Sequence, residues 1–151
     1  MIALIQRVRE ASVWVAGECV GSISHGILAL VAIERGDNLE AASKLAERIL
    51  RFRIFSDAEG KMNLGLKEVQ GDLLLVSQFT LAADTQKGLR PSFAPAADPE
   101  TARKLFDALK EILAQEPIKV STGVFGADMQ VHLINDGPVT FNLRVAPVNV
   151  A

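Results

Sequence analysis

The sequence predicts an α+β fold, a mostly antiparallel, barrel-like β-sheet core with two main helices. Three observations carry that expectation. Short apolar segments rich in β-branched residues recur along the chain, divided by turns containing Gly, Asn and Asp. Two longer segments place apolar residues three and four apart, the period of a helix with one buried face. The 151 residues, 49% apolar and 23% charged, suit one compact domain spanning 1–151 with a core of its own.

Taken in order, residues 2–8 and 11–15 are apolar and β-branched, and Ala16-Gly17-Glu18 forms a hairpin turn into a strand at 19–23. The run ILALVAI at 27–33 has no polar face, as expected of a strand buried on both sides. The first helix takes Asp37 or Asn38 as its cap, carries Ala42, Leu45, Ala46, Ile49 and Leu50 on one stripe, and ends near Arg51. A short strand with Phe52 and Ile54 and a turn at 56–60 lead to the run 72–76, which feeds SQFTL at 77–81. Residues 82–97 read as a long loop. Asp98 is a natural N-cap before Pro99, and Ala102, Leu105, Phe106, Leu109, Ile112 and Leu113 line one face of a second helix that Pro117 stops. Segments 118–124, 129–134 and 139–145 read as three successive strands, separated by Gly126-Ala127-Asp128 and by Asn135-Asp136-Gly137-Pro138.

Lysine and arginine total 16 and aspartate and glutamate 18, a net charge of −2, so any nucleic-acid contact must come from a local patch. Lys87 and Arg90 in the long loop are candidates; Arg48, Arg51 and Arg53 form a second group whose default role is solvated surface charge. A single cysteine excludes an internal disulfide, and with no basic neighbour in sequence Cys19 is expected to be a buried, structural thiol. His25 and His132 lack the spacing of zinc ligands and the context of a Ser-His-Asp triad, so both read as packed or hydrogen-bonded rings. The chemistry is expected to need no metal and no cofactor. The N-terminus does not resemble a secretion signal and no apolar run approaches about 18 residues, which points to a cytoplasmic protein with no membrane segment.

Two segments place small polar groups where strands give way to loops. In SQFTL, a regular strand would send Ser77 and Phe79 to one face and Gln78 and Thr80 to the other, so joint use of the four requires the strand to bend or end there. By residue type alone, these hydroxyls are local backbone partners more often than catalytic groups. NDGPVT at 135–140 has turn composition throughout, and its simplest structural role is a hairpin connection. By the same local physics the Gly137-Pro138 bond is expected to be trans, since the cis form holds only about 5–6% of such bonds in folded proteins.

MIALIQRV at the start, KMNLGL at 61–66, SQFTL, KGLRPSF at 87–93, FGADMQVHL at 125–133 and NDGPVTF at 135–141 together resemble the D-aminoacyl-tRNA deacylase family across nearly the whole chain. The pairing of SQFTL with GPVT is the most specific part. The resemblance implies a homodimer that hydrolyses the ester joining a D-amino acid to the terminal adenosine of tRNA, and that also discharges glycine from mischarged tRNA. It implies that Gly137-Pro138 is cis and enters the active site of the other subunit, where its carbonyls leave no room for an L side chain. Arg7 would support that motif, Ser77, Gln78, Phe79 and Thr80 would line the pocket, with Phe79 and Thr80 at the reacting ester, and Phe125 and Met129 would lie by the adenine.

An aminoacyl ester is already activated, so such an enzyme need mainly orient water and the ester and stabilise the oxyanion with backbone donors. Thr80 is either a nucleophile or a positioning group, and no base beside it in sequence favours the first. Two rival functions remain from the residues themselves: a non-catalytic RNA-binding module, and a general small-molecule esterase.

Overall fold

A computed structural model describes residues 1–147. The chain runs β1 (Ile2–Val15), β2 (Glu18–Ile23), β3 (Gly26–Ala32), α1 (Leu39–Arg51), β4 (Phe55–Ser56), β5 (Met62–Leu64), β6 (Asp72–Ser77), a 3-10 turn at Phe79–Ala82, α2 (Pro99–Ala114), β7 (Val120–Thr122) and β8 (Gln130–Arg144). The main sheet has the order β2-β1-β3-β6-β7, with β8 also on β1; β4 and β5 form a separate pair. Pairings through β1 and between β4 and β5 are antiparallel, whereas β3–β6 and β6–β7 are parallel. Parallel neighbours need crossovers, and α1 and α2 supply them. The α+β expectation holds.

Residues 2–8 and 11–15 are one strand rather than two. β8 occupies one edge of β1, from Ile2 to Trp14, while the other edge is shared, β3 pairing along 2–8 and β2 along 11–15. The change of partner falls at the exposed Arg9 and Glu10. β2 then approaches β7: Ser121 Oγ donates to Ser22 O at 3.2 Å, and a Cβ on Gly21 would stand 2.6 Å from the Thr122 carbonyl oxygen. The missing side chain lets the sheet curl to a nearly closed barrel. Val8, Ala11, Val13, Leu28, Leu74 and Val76 belong to its core.

A larger core lies under the helices. Leu45 and Ile49 of α1 and Leu105, Phe106 and Leu109 of α2 meet Ile5, Ile27, Leu73 and Leu75 from the sheet. Truncating any one of these to alanine should cost about 2–5 kcal/mol. Of the two cap candidates for α1, Asn38 is the one used, its side chain accepting from Ala41 N–H at 2.9 Å. Asp37 serves another purpose: with Glu34 it receives the buried Met1 ammonium. Asp98 caps α2 as expected, accepting from Thr101 N–H at 3.0 Å.

Three local expectations are corrected. Phe52 and Ile54 are not in a strand: Phe52 N–H closes α1 on Arg48 O, Ile54 is a buried connector, and the strand begins only at Phe55. Cys19 is exposed rather than buried, because β2 buries little besides Ile23 along an outer edge. Segments 129–134 and 139–145 are one strand, β8, and NDGP is not a hairpin turn.

Candidate active site

The irregular stretch of β8 is defined by its partner. Gln6 pairs with Thr140 and Val8 with Asn135, so a single residue of β1, Arg7, stands opposite four of β8, Asp136 to Val139. Turn-forming residues have been spent on a wide bulge instead of a reversal, because β1 holds the chain on both sides. Asn135 spans the bulge: its Oδ1 accepts from Val139 N–H at 2.7 Å and its Nδ2 donates to Thr140 Oγ1 at 2.8 Å. Arg7 holds it from below, with Nε donating to Asp136 O at 2.9 Å and Nη1 to Ile54 O at 2.8 Å. Gly137 has φ +140°, a region L side chains avoid, and its bond to Pro138 is cis, against the trans expected from local physics alone. Both residues are exposed.

SQFTL bends, as joint use of its side chains requires. β6 ends at Ser77; Gln78 N–H still donates to Val31 O at 2.7 Å, and the chain then coils into the 3-10 turn with Leu81 N–H on Gln78 O at 3.2 Å. Among the described residues no acceptor within the chain takes the N–H of Phe79 or Thr80, the usual state of the first amides of a helical turn. The Gln78 side-chain amide donates to the Thr80 hydroxyl.

At the carboxyl ends of β3 and β6 lies a cavity of about 440 Å³. Ser77, Gln78 and Phe79 form one wall, and Phe125 and Met129, between β7 and β8, form another. Ala102 and Phe106 of α2 close it; no charged side chain lines it. Five of the residues singled out in the sequence therefore meet in one place. Thr80 is not part of the lining and touches the site through Gln78. Gly137, Pro138 and Arg7 also lie outside the lining.

Several contributors were not singled out from sequence. Ala102 and Phe106 share the apolar stripe of α2 with core residues, and nothing in the period separates the two uses. Arg103 lies over the Phe125 ring at 4.8 Å and Phe106 against it at 5.9 Å. Asn135 reads as turn composition until its partners are seen. The histidines stand apart: His25 lies edge-on to Phe55 at 5.1 Å and His132 tilts on Trp14 at 6.1 Å. The helix arginines are locally engaged, Arg48 on Arg144 O, Arg51 on Glu47 and Arg53 on Asn63. Near the cavity mouth, Thr101 N–H and then its hydroxyl hold the Asp98 carboxyl below its ordinary pKa. No cluster of three or more His, Cys, Asp or Glu suited to a metal occurs among the described residues, and none of their helices is long and apolar enough to cross a membrane.

The matching family model and the curated relatives point one way. The family model described as D-Tyr-tRNA(Tyr) deacylase matches residues 4–144. A D-aminoacyl-tRNA deacylase of Methylococcus capsulatus is 65% identical over 147 residues, covering 97% of this chain and 96% of that one. Its counterpart from Shewanella frigidimarina is 60% identical over 145 residues, covering 96% and 100%. Among solved structures, a c-Myc DNA unwinding element binding protein superposes with TM-score 0.92 at 38% identity, covering 97% of this chain and 99% of that one. A probable eukaryotic D-amino acid tRNA deacylase superposes with TM-score 0.76 at 17% identity, covering 94% and 98%, which speaks to the fold alone. The chain belongs to the D-aminoacyl-tRNA deacylase family.

Proposed function

We propose that the protein hydrolyses the ester between a D-amino acid and the terminal adenosine of tRNA, a proofreading step of translation, and that it works as a homodimer. The carrying observation is the uncharged cavity at the end of β6, where Ser77, Gln78 and Phe79 face Phe125 and Met129. Its apolar walls suit a nucleoside base and an amino-acid side chain. In the reaction, water adds to the ester carbonyl carbon, the carbonyl oxygen takes the charge, and the bond to the ribose oxygen breaks. The ribose leaves as an alcohol after gaining a proton, and the D-amino acid is freed.

The free amides of Phe79 and Thr80 are the donors for that oxyanion. Thr80 carries no base, its hydroxyl being held by Gln78, so its role is to position; the neighbouring ribose hydroxyl assists the attack. Selection against L esters falls to Gly137 and Pro138, which protrude on their bulge, are exposed and lie outside their own chain's cavity. Set into the cavity of the partner subunit, their carbonyls occupy the space of an L side chain. Glycine, with no side chain, passes the same filter, so glycyl-tRNA is a second substrate.

Turnover separates this reading from its rivals. Purified protein given D-aminoacyl-tRNA and a simple p-nitrophenyl ester should cleave the first catalytically and leave the second. Binding without turnover would favour an RNA-binding module, and efficient cleavage of the simple ester a general esterase.

A further inference from the structure

A second hollow adjoins the cavity, bordered by Arg35, Gly36, Phe93, Ala96 and Thr101, with Ala97 lining both. The first turn of α2 divides them, Pro99 and Ala102 bordering the cavity and Asp98 and Thr101 the hollow. The shared wall is fixed to the end of β3: Ala97 N–H donates to Ile33 O at 3.0 Å and Arg35 N–H to Pro95 O at 2.9 Å. Across Ala97 the chemistry changes. The cavity is uncharged, whereas the hollow has an exposed guanidinium and an aromatic ring, Phe93, that is 42% exposed. Arg35 enters no ion pair among the described residues. Asp98 is the one carboxylate among the lining residues, and it faces the first turn of α2, accepting from Thr101 N–H at 3.0 Å. Phe93 also touches Phe79, 5.1 Å between centroids, so the aromatic edge is continuous from one depression to the other.

A strand of RNA leaving an uncharged nucleoside pocket brings one phosphate and one base with its next nucleotide. A cation and an exposed ring are the groups that receive them, the cation by charge and the ring by stacking that tolerates any base. We infer that this hollow is the subsite for the nucleotide preceding the terminal adenosine, its phosphodiester at Arg35 and its base on Phe93. The inference rests on the reading of the cavity as the aminoacyl-adenosine site.

The test compares kcat/KM for D-phenylalanyl-adenosine and for the dinucleotide ester D-phenylalanyl-CpA, in wild type and in Arg35→Gln. Arg35 is exposed, and the substitution keeps its backbone bond to Pro95. In wild type the dinucleotide should be preferred by about five- to tenfold, the low end of what one stacked base contributes. In Arg35→Gln that preference should fall without vanishing, because the base still stacks on Phe93, and the slope of log(kcat/KM) against log salt for the dinucleotide should flatten by about 0.7, one phosphate of a single strand. Phe93→Ser should reduce the preference with the salt slope kept. Equal rates on the two esters in wild type, or an undiminished preference in Arg35→Gln, would overturn the subsite while leaving the deacylase reading intact. Cleavage of neither ester, nor of D-aminoacyl-tRNA, would remove both.

Discussion

Arg7 donates from Nε to the backbone carbonyl of Asp136 at 2.9 Å, so the one residue of β1 opposite the four-residue bulge of β8 also bonds to its backbone. A planar guanidinium can bond Asp136 O and Ile54 O at once, whereas an ammonium cannot reproduce the fork. A Cβ at Gly137 would lie 3.3 Å from Arg7 Nη2, so the arginine also lies close beneath the glycine.

Arg7→Lys should therefore destabilise the protein by about 1.5–3 kcal/mol, the range for hydrogen bonds from a charged group. It should also lower the ratio of D- to L-ester hydrolysis, because the bulge loses its support. Urea unfolding and paired deacylation assays read the two effects. A variant with normal stability and normal selectivity would show that the bulge holds its shape without Arg7.

Asp98 makes stability depend on pH. Its folded pKa lies below the unfolded value of 3.8, so its contribution to stability is present above that value and is lost as pH falls through the folded one. Asp98→Ala should lower Tm at neutral pH, and the gap from wild type should close as pH drops well below 3.8. Thermal melts across that range decide; a gap of the same size in strong acid would mean that the residue acts by packing and not as an ionised cap.

Much of this fold was legible because its signals are local. Asp98 and Pro99 announce the start of α2 whatever surrounds them, and the runs of β3 and β6 are apolar because both faces are covered. NDGP misled the local reading because its composition fits a hairpin equally well. Only the pairing of Gln6 with Thr140 and Val8 with Asn135 makes it a bulge, and that pairing spans most of the chain. The exposure of Cys19 was hidden for a similar reason, since the edge position of β2 belongs to the sheet and not to the strand. Of the cavity, the polar wall at Ser77 and Gln78 stood out, whereas Ala102 and Phe106 differ from their core neighbours only in what they face.

Lys87 and Arg90 are exposed beyond the 3-10 turn, and the arginines near the end of α1 are engaged locally. Replacing both Lys87 and Arg90 by alanine should weaken tRNA binding and flatten its salt dependence, by about 0.7–0.9 in log–log slope for each phosphate that is no longer neutralised. Filter binding over a salt series measures it. An unchanged slope would place the phosphate-binding cations elsewhere on the surface.

Dilution tests the shared site. If Gly137 and Pro138 act in the partner's cavity, selectivity against L esters should fail as the protein dissociates. Sedimentation and deacylation at matched concentrations should show the two changes together. A monomer that keeps full D selectivity would place the filter within one chain.

The most direct measurement is the rate at which the protein deacylates one tRNA charged with the D or the L form of the same amino acid, at equal enzyme and substrate concentrations. The D ester should be cleaved at least about a hundredfold faster, the ratio that a steric penalty of about 3 kcal/mol against the L ester produces. Equal rates for the two esters, or cleavage of the L ester alone, would contradict it.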